Sequence, residues 1–332
     1  MFEINKKFAL NLQLFNNTNV TTATGTGNDL SAEMKVFYSD YLIDNAKANL
    51  VHDQFGQKHP IPKNGGKTIE FRKYSPFAKA LTPITEGVTP NGNKLNTSTI
   101  TAEIAQYGDY VELSDVLLLT AIDNNLVEAT KLLGNQAGET LDTITREVLV
   151  GGTNVQFAGG VSARSALAAE NKLTVDECFK AARFLKTQKA KKIGGYYVAI
   201  IHPDVAYDLM RDEAWVNANQ YAGSTNLFEG EIGRVAGIRF VETTEAKIFA
   251  DAGASGKDVY ATLVLGENAY GVTEVEGGGL QHIVKQLGSA GTADPLNQRA
   301  TVGWKAIKTA ERLVEGFMIR IESCSTFDSG AN

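Results

Sequence analysis

From Leu126 onward the apolar positions Leu126, Ala129, Leu133, Ala137, Leu141, Ile144 and Val148 recur every three or four residues, which places all of them on one side of an α-helix. Lys131, Asn135, Glu139, Asp142, Thr143, Arg146 and Glu147 occupy the other faces, which are therefore expected to be wet or to meet polar neighbours. Asn125 and Glu128 have the spacing of a capping box, Arg146 lies in the last turn where the helix dipole favours a cation, and Gly151-Gly152 offers a left-handed stop. About 22 steps at ~1.5 Å make a seam some 33 Å long, twice or more the usual helix. Such a helix, within the stretch Ser114 to Gly152, is a spine along which other elements must lie.

The other patterns are shorter. Phe8, Leu10, Leu12 and Leu14 alternate with Ala9, Asn11 and Gln13, a strand with one apolar face that ends at Phe15. Residues 16–28 are Thr, Asn and Gly with little to bury, so the strand sits on a leash. This is read as an arm that pairs with another subunit, against the alternative of a disordered terminus. Leu30 to Phe55 carries a helical pattern ending at Gly56, ahead of Pro60 and Pro62. Two strand runs, Thr68 to Tyr74 and Thr99 to Val111, flank a connection containing Pro76, Pro83, Gly87, Pro90 and Gly92. Neither face of these runs is cleanly apolar, which predicts a ribbon projecting from the body and needing a partner to lie on.

Beyond the spine, Thr174 to Lys186 is predicted as a helix with a capping box, Thr174 to Glu177, and an inner face of Val175, Phe179, Ala182 and Leu185. Tyr196 to His202 is a buried strand that turns at Pro203-Asp204 into the helix Val205 to Arg211, the start of an α/β unit. Gly230 to Glu242 has the form of a hairpin turning at Gly237, and Val259 to Leu265 and Tyr270 to Glu274 are further strands. Alternation returns at Val302, Trp304 and Ala306 and again at Phe317, Ile319 and Ile321. These late strands are placed to close along the spine.

Composition narrows the function. The chain has 332 residues, 43% of them apolar, and a formal net charge of -6, which argues against a protein that wraps nucleic acid by phosphate contacts. A shell packed closely around DNA gains from that balance, since it must not adhere to its contents. Cys178 and Cys324 lack partner motifs and read as buried small hydrophobes in a reducing compartment. No apolar run is long enough for a membrane span, and the start lacks a signal-peptide cleavage site.

Catalytic and ligand motifs are not found. Gly66-Lys67-Thr68 resembles the end of a phosphate loop, but Ile61 stands where the earlier glycine belongs and Thr68 opens a strand. Gly25 and Gly27 lack the third glycine and the βα context of a dinucleotide fingerprint. His52 and His59 lie seven apart near Asp53, but Gly56 and Pro60 break the helix that would align them on a metal. His202 reads as a satisfied turn residue and His282 stands alone. No cofactor or metal is expected. Trp304 is read as an anchor against either the spine or a neighbouring subunit, together with the turn Asp294-Pro295-Leu296-Asn297-Gln298.

The order of parts, with GTADPLNQRATVGWK (291–305), YYVAIIHPDVAYDLMRD (196–212), GEIGRVAGIRFVET (230–243) and the opening LNLQLF (10–15), resembles the major capsid proteins of tailed bacteriophages, in the N4-like coat protein family. The resemblance implies an α+β chain with the HK97-like fold. Its parts would be an N-terminal arm (1–29), an N-terminal helix and connection (30–66), an extended loop (67–111), the spine (112–160), an axial domain (161–290) and closing peripheral strands (291–332). It implies no catalysis, and self-assembly into hexamers and pentamers of an icosahedral shell enclosing double-stranded DNA. Partners would be a separate scaffolding protein, since the arm is too short to carry a removable one, a portal, decoration proteins and DNA contacted without sequence preference. Subunit contacts are expected at Leu10, Leu12, Leu14 and Phe15 of the arm, at Phe71, Tyr74, Gly87, Pro90 and Tyr107 of the ribbon, and at Asp294, Pro295, Asn297 and Trp304. Lys79 and Lys94 of the ribbon give no reason to expect covalent links between subunits. The alternatives are an encapsulin-like compartment and a soluble α/β enzyme centred on 170–275.

Overall fold

The structure, a computed structural model, describes Leu42, Ala46 and residues 50–60, 67–74, 77–84, 86–89, 91–120, 125–216, 231–273, 279–289 and 294–332. Its strands, in chain order, are β1 (Gln57–His59), β2 (Thr68–Tyr74), β3 (Thr97–Glu103), β4 (Ala105–Ser114), β5 (Val155–Phe157), β6 (Tyr197–Ile201), β7 (Glu231–Val235), β8 (Ile238–Glu242), β9 (Ile248–Phe249), β10 (Val259–Leu265), β11 (Tyr270–Thr273), β12 (Leu280–Lys285), β13 (Arg299–Lys308), β14 (Ala310–Arg312) and β15 (Met318–Ser323). The helices of two turns or near it are α1 (Asp115–Thr120), α2 (Asn125–Val150), α3 (Val175–Thr187) and α4 (Pro203–Met210). Leu42 and Ala46 are helical, whereas Leu50 onward turns, so the first helix stops earlier than the expected Phe55.

The spine is the 26-residue helix α2, about 39 Å long. Its seam crosses two cores. Leu133, Ala137 and Leu141 pack with Leu42, Ala46, Leu280, Val302, Trp304 and Ala306, while Leu149 and Val150 join Ile200, Leu263, Leu265 and Tyr270. Asp142 and Arg146, on the polar side of the pattern, are buried against polar neighbours. The helix does not end on a left-handed glycine, because neither Gly151 nor Gly152 has positive φ. Arg312 instead donates from Nη1 to the Val148 carbonyl at 2.6 Å, and a Cβ on Gly151 would stand 2.7 Å from that nitrogen. A cation from another strand caps the end that the glycines leave clear.

The ribbon and the body share one run of chain. β2 pairs with β3 from Thr68↔Glu103 to Tyr74↔Thr97, as expected for the hairpin. The second run then breaks at Ile104, whose N–H donates to the Lys67 carbonyl, and β4 pairs with β13 over ten positions, Arg299↔Ser114 to Lys308↔Ala105. The base of the ribbon also has the apolar face that the pattern concealed: Ile69, Phe71 and Ala102 are buried with Leu313. Phe71 lies over Gly271, where a Cβ would fall 2.3 Å from its ring.

The largest sheet has the order β5-β15-β10-β6-β8-β7, with β9 on β10. β6 and β10 are buried along their whole length, which explains their unbroken apolar runs. The hairpin β7–β8 turns at Ala236 and Gly237, both at positive φ, the geometry a two-residue turn requires. β15 pairs with β10 and β5 in this sheet, and β12 pairs with β13 across residue 290. In α3, Thr174 makes no side-chain cap, and the Val175 N–H is taken by Asp212 at 2.8 Å. The buried face is Val175, Cys178, Ala181, Ala182 and Leu185, and Phe179 is 54% exposed. Cys178 and Cys324 are buried free thiols whose pKa values burial pushes up to about 12 and about 11, so neither is reactive near neutrality.

Candidate assembly surfaces

Beyond Tyr74, the ribbon carries apolar side chains that its own chain leaves open: Phe77, Leu81, Ile84, Val88 and Leu95, with Leu81 at 81% exposure. A second apolar group stands on α1 and the early spine, where Val116, Leu117, Leu119 and Leu132 are exposed. A cleft of about 380 Å³ opens on the three-stranded sheet, lined by Gly108, Asp109, Tyr110, Ile283, Thr301, Gly303 and Trp304. Gly108 and Gly303 let the strands come together there, since a Cβ on Gly303 would lie 2.7 Å from Tyr110 Cβ. Apolar groups exposed in this number on one chain mark surfaces for other proteins.

The expected contact residues divide. Leu10, Leu12, Leu14, Phe15 and Pro90 lie outside the described residues. Tyr74, Gly87, Pro295 and Asn297 are exposed, and Gly87 and Asn297 have positive φ. Phe71, Tyr107, Asp294 and Trp304 make contacts within their own chain. Phe71 is 1% exposed and meets His59 edge to face at 4.7 Å, and Tyr107 packs on the spine core. Asp294 accepts from the Arg299 N–H at 2.8 Å, closing the turn. Trp304 donates from Nε1 to Gln136 Oε1 at 3.2 Å, and Gln136 donates on to Asp109, so of the two partners weighed for Trp304 the spine is the one it meets. Sequence reasoning missed the open apolar side chains of the ribbon; leucines and isoleucine inside a Pro/Gly-rich connection were the available signal.

Electrostatics hold the scaffold of these surfaces. Glu322, fully buried in β15, accepts from Arg164 Nε and Nη2 and from Arg320 Nε, each at 2.7 Å, and the Arg164 guanidinium lies 3.5 Å from the centre of the Phe249 ring. His202 caps α4, its Nδ1 accepting from the Asp204 N–H at 3.2 Å. Burial lowers its pKa. Among the described residues no group of three or more His, Cys, Asp or Glu is arranged for a metal, and no helix is long and apolar enough to cross a membrane.

The last residues are tied down by aspartates. Asp208 accepts from the Ser325 hydroxyl and Thr326 N–H at 2.8 Å, and Asp258 from the Gly330 N–H at 2.7 Å. Burial acts to raise the Asp208 pKa, but hydrogen bonds from Thr326, Ser325 and Lys172 outweigh it and hold the carboxyl below its usual range. The Lys257 ammonium does the same for Asp328. Depressed folded-state values mean that this stabilisation is present above the unfolded value of about 3.9 and is lost as pH falls below it. Protection factors at 325–330, taken against the intrinsic exchange rate at each pH, are therefore expected to fall between about pH 5 and pH 3 while β10 stays protected; unchanged factors across that range would refute the tie.

The phage capsid protein family matches residues 97–310, and a search of curated protein sequences finds no match. In structure the chain is similar to the capsid of cyanophage P-SCSP1u (TM-score 0.64, 16% identity, covering 83% of this chain and 89% of that one). It is similar also to the capsid of cyanophage Pam1 (0.63, 17%, 79% and 86%) and the head of Helicobacter pylori bacteriophage KHP40 (0.58, 10%, 98% and 100%). At these identities the likeness establishes the fold, which is HK97-like with both helices and sheets. The family match runs from the ribbon through the spine and the large sheet to β14, and the chain belongs to the phage capsid protein family.

Proposed function

We propose that this major capsid protein assembles with itself into hexamers and pentamers of an icosahedral head around packaged double-stranded DNA, and that it catalyses no turnover reaction. The observation that carries the reading is the ribbon: five large apolar side chains beyond Tyr74 remain open to solvent in the isolated chain. A two-stranded ribbon is marginal on its own and gains stability when laid over a neighbour. The large sheet with α3 and α4 would be the axial domain, and the spine with β4, β12 and β13 the peripheral domain. Tyr74, Gly87, Pro90, Pro295 and Asn297, with the arm residues Leu10, Leu12, Leu14 and Phe15, are proposed to contact neighbouring subunits. A separate scaffolding protein, a portal and decoration proteins complete the partners, DNA is met without sequence preference, and assembly takes place in the host cytoplasm.

Tyr74 and Thr97 are paired, so residues 75–96 can be replaced by Asn-Gly to close the hairpin without disturbing its base. The shortened chain is expected to stay folded by circular dichroism yet form no closed particles by electron microscopy, with scaffold supplied where the full chain needs it. Particles of normal size from the shortened chain would overturn the reading.

A further inference from the structure

Lys308 ends β13 at 1% exposure, and along the strand its neighbours Ala306 and Ala310 belong to two separate apolar clusters. Its Nζ meets the carboxylate of Asp53, and among the described residues this is its one hydrogen-bond partner. An ammonium carries three N–H donors, and among the described residues a charged Lys308 finds a partner for one of them. Desolvation of such a pair costs several kcal/mol per ion, at the order-of-magnitude level. An amide between the two side chains removes both charges for good.

The surroundings suit that chemistry. The other carboxyl oxygen of Asp53, Oδ1, accepts from the Thr145 hydroxyl at 2.6 Å. One turn earlier on the spine, Asp142 accepts from the His52 N–H at 2.7 Å and lies 2.6 Å from its Nδ1. This clamp fixes the residue next to Asp53. Tyr270 donates its hydroxyl to the His52 carbonyl, and burial holds that hydroxyl protonated, well above its usual range. Every group in the cluster is more than nine-tenths buried.

We propose that Lys308 and Asp53 are joined by an amide bond within the chain. A proton passes from the ammonium to the carboxylate, giving a neutral amine and a neutral acid. Nζ then attacks Cγ, and Oδ1, held by Thr145, takes the developing negative charge. The Cγ–Oδ2 bond breaks, and Oδ2 departs as water with the carboxyl proton and one proton from Nζ. One amine and one acid become one amide and one water, with no oxidant or other reactant. The link would fasten the turn after the first helix to the strand beside the spine, and it does not depend on how subunits assemble.

The test is the mass of the full chain, denatured and intact. It is expected to fall about 18 Da below the sequence mass, one water, and a tryptic digest is expected to hold the Asp53 and Lys308 peptides as a single branched species. Lys308→Arg and Asp53→Ala should each restore the full mass. Asp53→Asn should still link, losing ammonia, at about 17 Da below its own sequence mass. A native chain at its full sequence mass, with the two peptides recovered separately, would overturn the proposal. So would a deficit that maps to any other peptide.

Discussion

Replacing Glu322 by alanine is expected to lower the unfolding free energy by about 3–5 kcal/mol, the cost of leaving buried cations without their counter-ion. Glu322 is fully buried, and it takes two hydrogen bonds from Arg164 and one from Arg320. Its loss strands Arg320, which among the described residues has no other carboxylate in contact and donates otherwise to the Gly152 carbonyl at 3.4 Å. The damage is local to the seam where β15 meets β5 and the strap carrying Arg164. Glu322→Gln keeps the shape and one acceptor and should cost less than the alanine. Urea titration of the two variants provides the check, with a shift in midpoint at unchanged slope. A loss under about 1 kcal/mol for the alanine would mean that the three charges contribute no more than a surface pair.

Trp304→Ala is the second large effect, expected at about 3–5 kcal/mol, because it empties the centre of the core between the spine and β13. The indole packs with Leu133, Ala137, Leu141 and Val302, and its N–H satisfies Gln136, whose amide in turn donates to Asp109. Trp304→Phe separates packing from hydrogen bonding. It retains most of the apolar contact but leaves the Gln136 oxygen without its donor, and an intermediate loss of about 1–3 kcal/mol is expected. Thermal or urea unfolding decides it. If phenylalanine were as damaging as alanine, the hydrogen-bond chain rather than the packing would carry the site.

What was legible in the sequence was whatever burial writes as a period. The seam Leu126 to Val148 specified the spine because its positions are buried or, Ala129 apart, meet an apolar core or its margin, and the runs of β6 and β10 were readable because both faces are covered. Where small residues do the packing, the pattern misled. Phe179 drew the predicted face of α3 toward itself: Val175, Ala182 and Leu185 are buried as predicted, but Cys178 and Ala181 are buried where Phe179 was expected, their small side chains letting the helix settle against the sheet. The polar clusters were not legible at all. His52 and Asp142 are 90 residues apart and Asp53 and Lys308 are 255, and no local spacing announces such pairs. The assembly surfaces were half legible: alternation located the ribbon, but it did not show that Phe71 is covered by its own chain, or which of the spine and a neighbour Trp304 meets, because hydrophobicity alone does not say what will cover a side chain.

The run from Thr97 to Ser114, interrupted only at Ile104, serves two sheets in turn. A pull on the distal end of the ribbon therefore travels along covalent backbone into β4, where ten paired positions with β13 resist it in shear, all loaded together rather than one after another. The strain then reaches Trp304 and the spine. In a pressurised container, tension taken up by one subunit's ribbon would be borne by the whole width of the sheet beneath it, and failure would be expected first at the shorter seven-pair β2–β3 ladder.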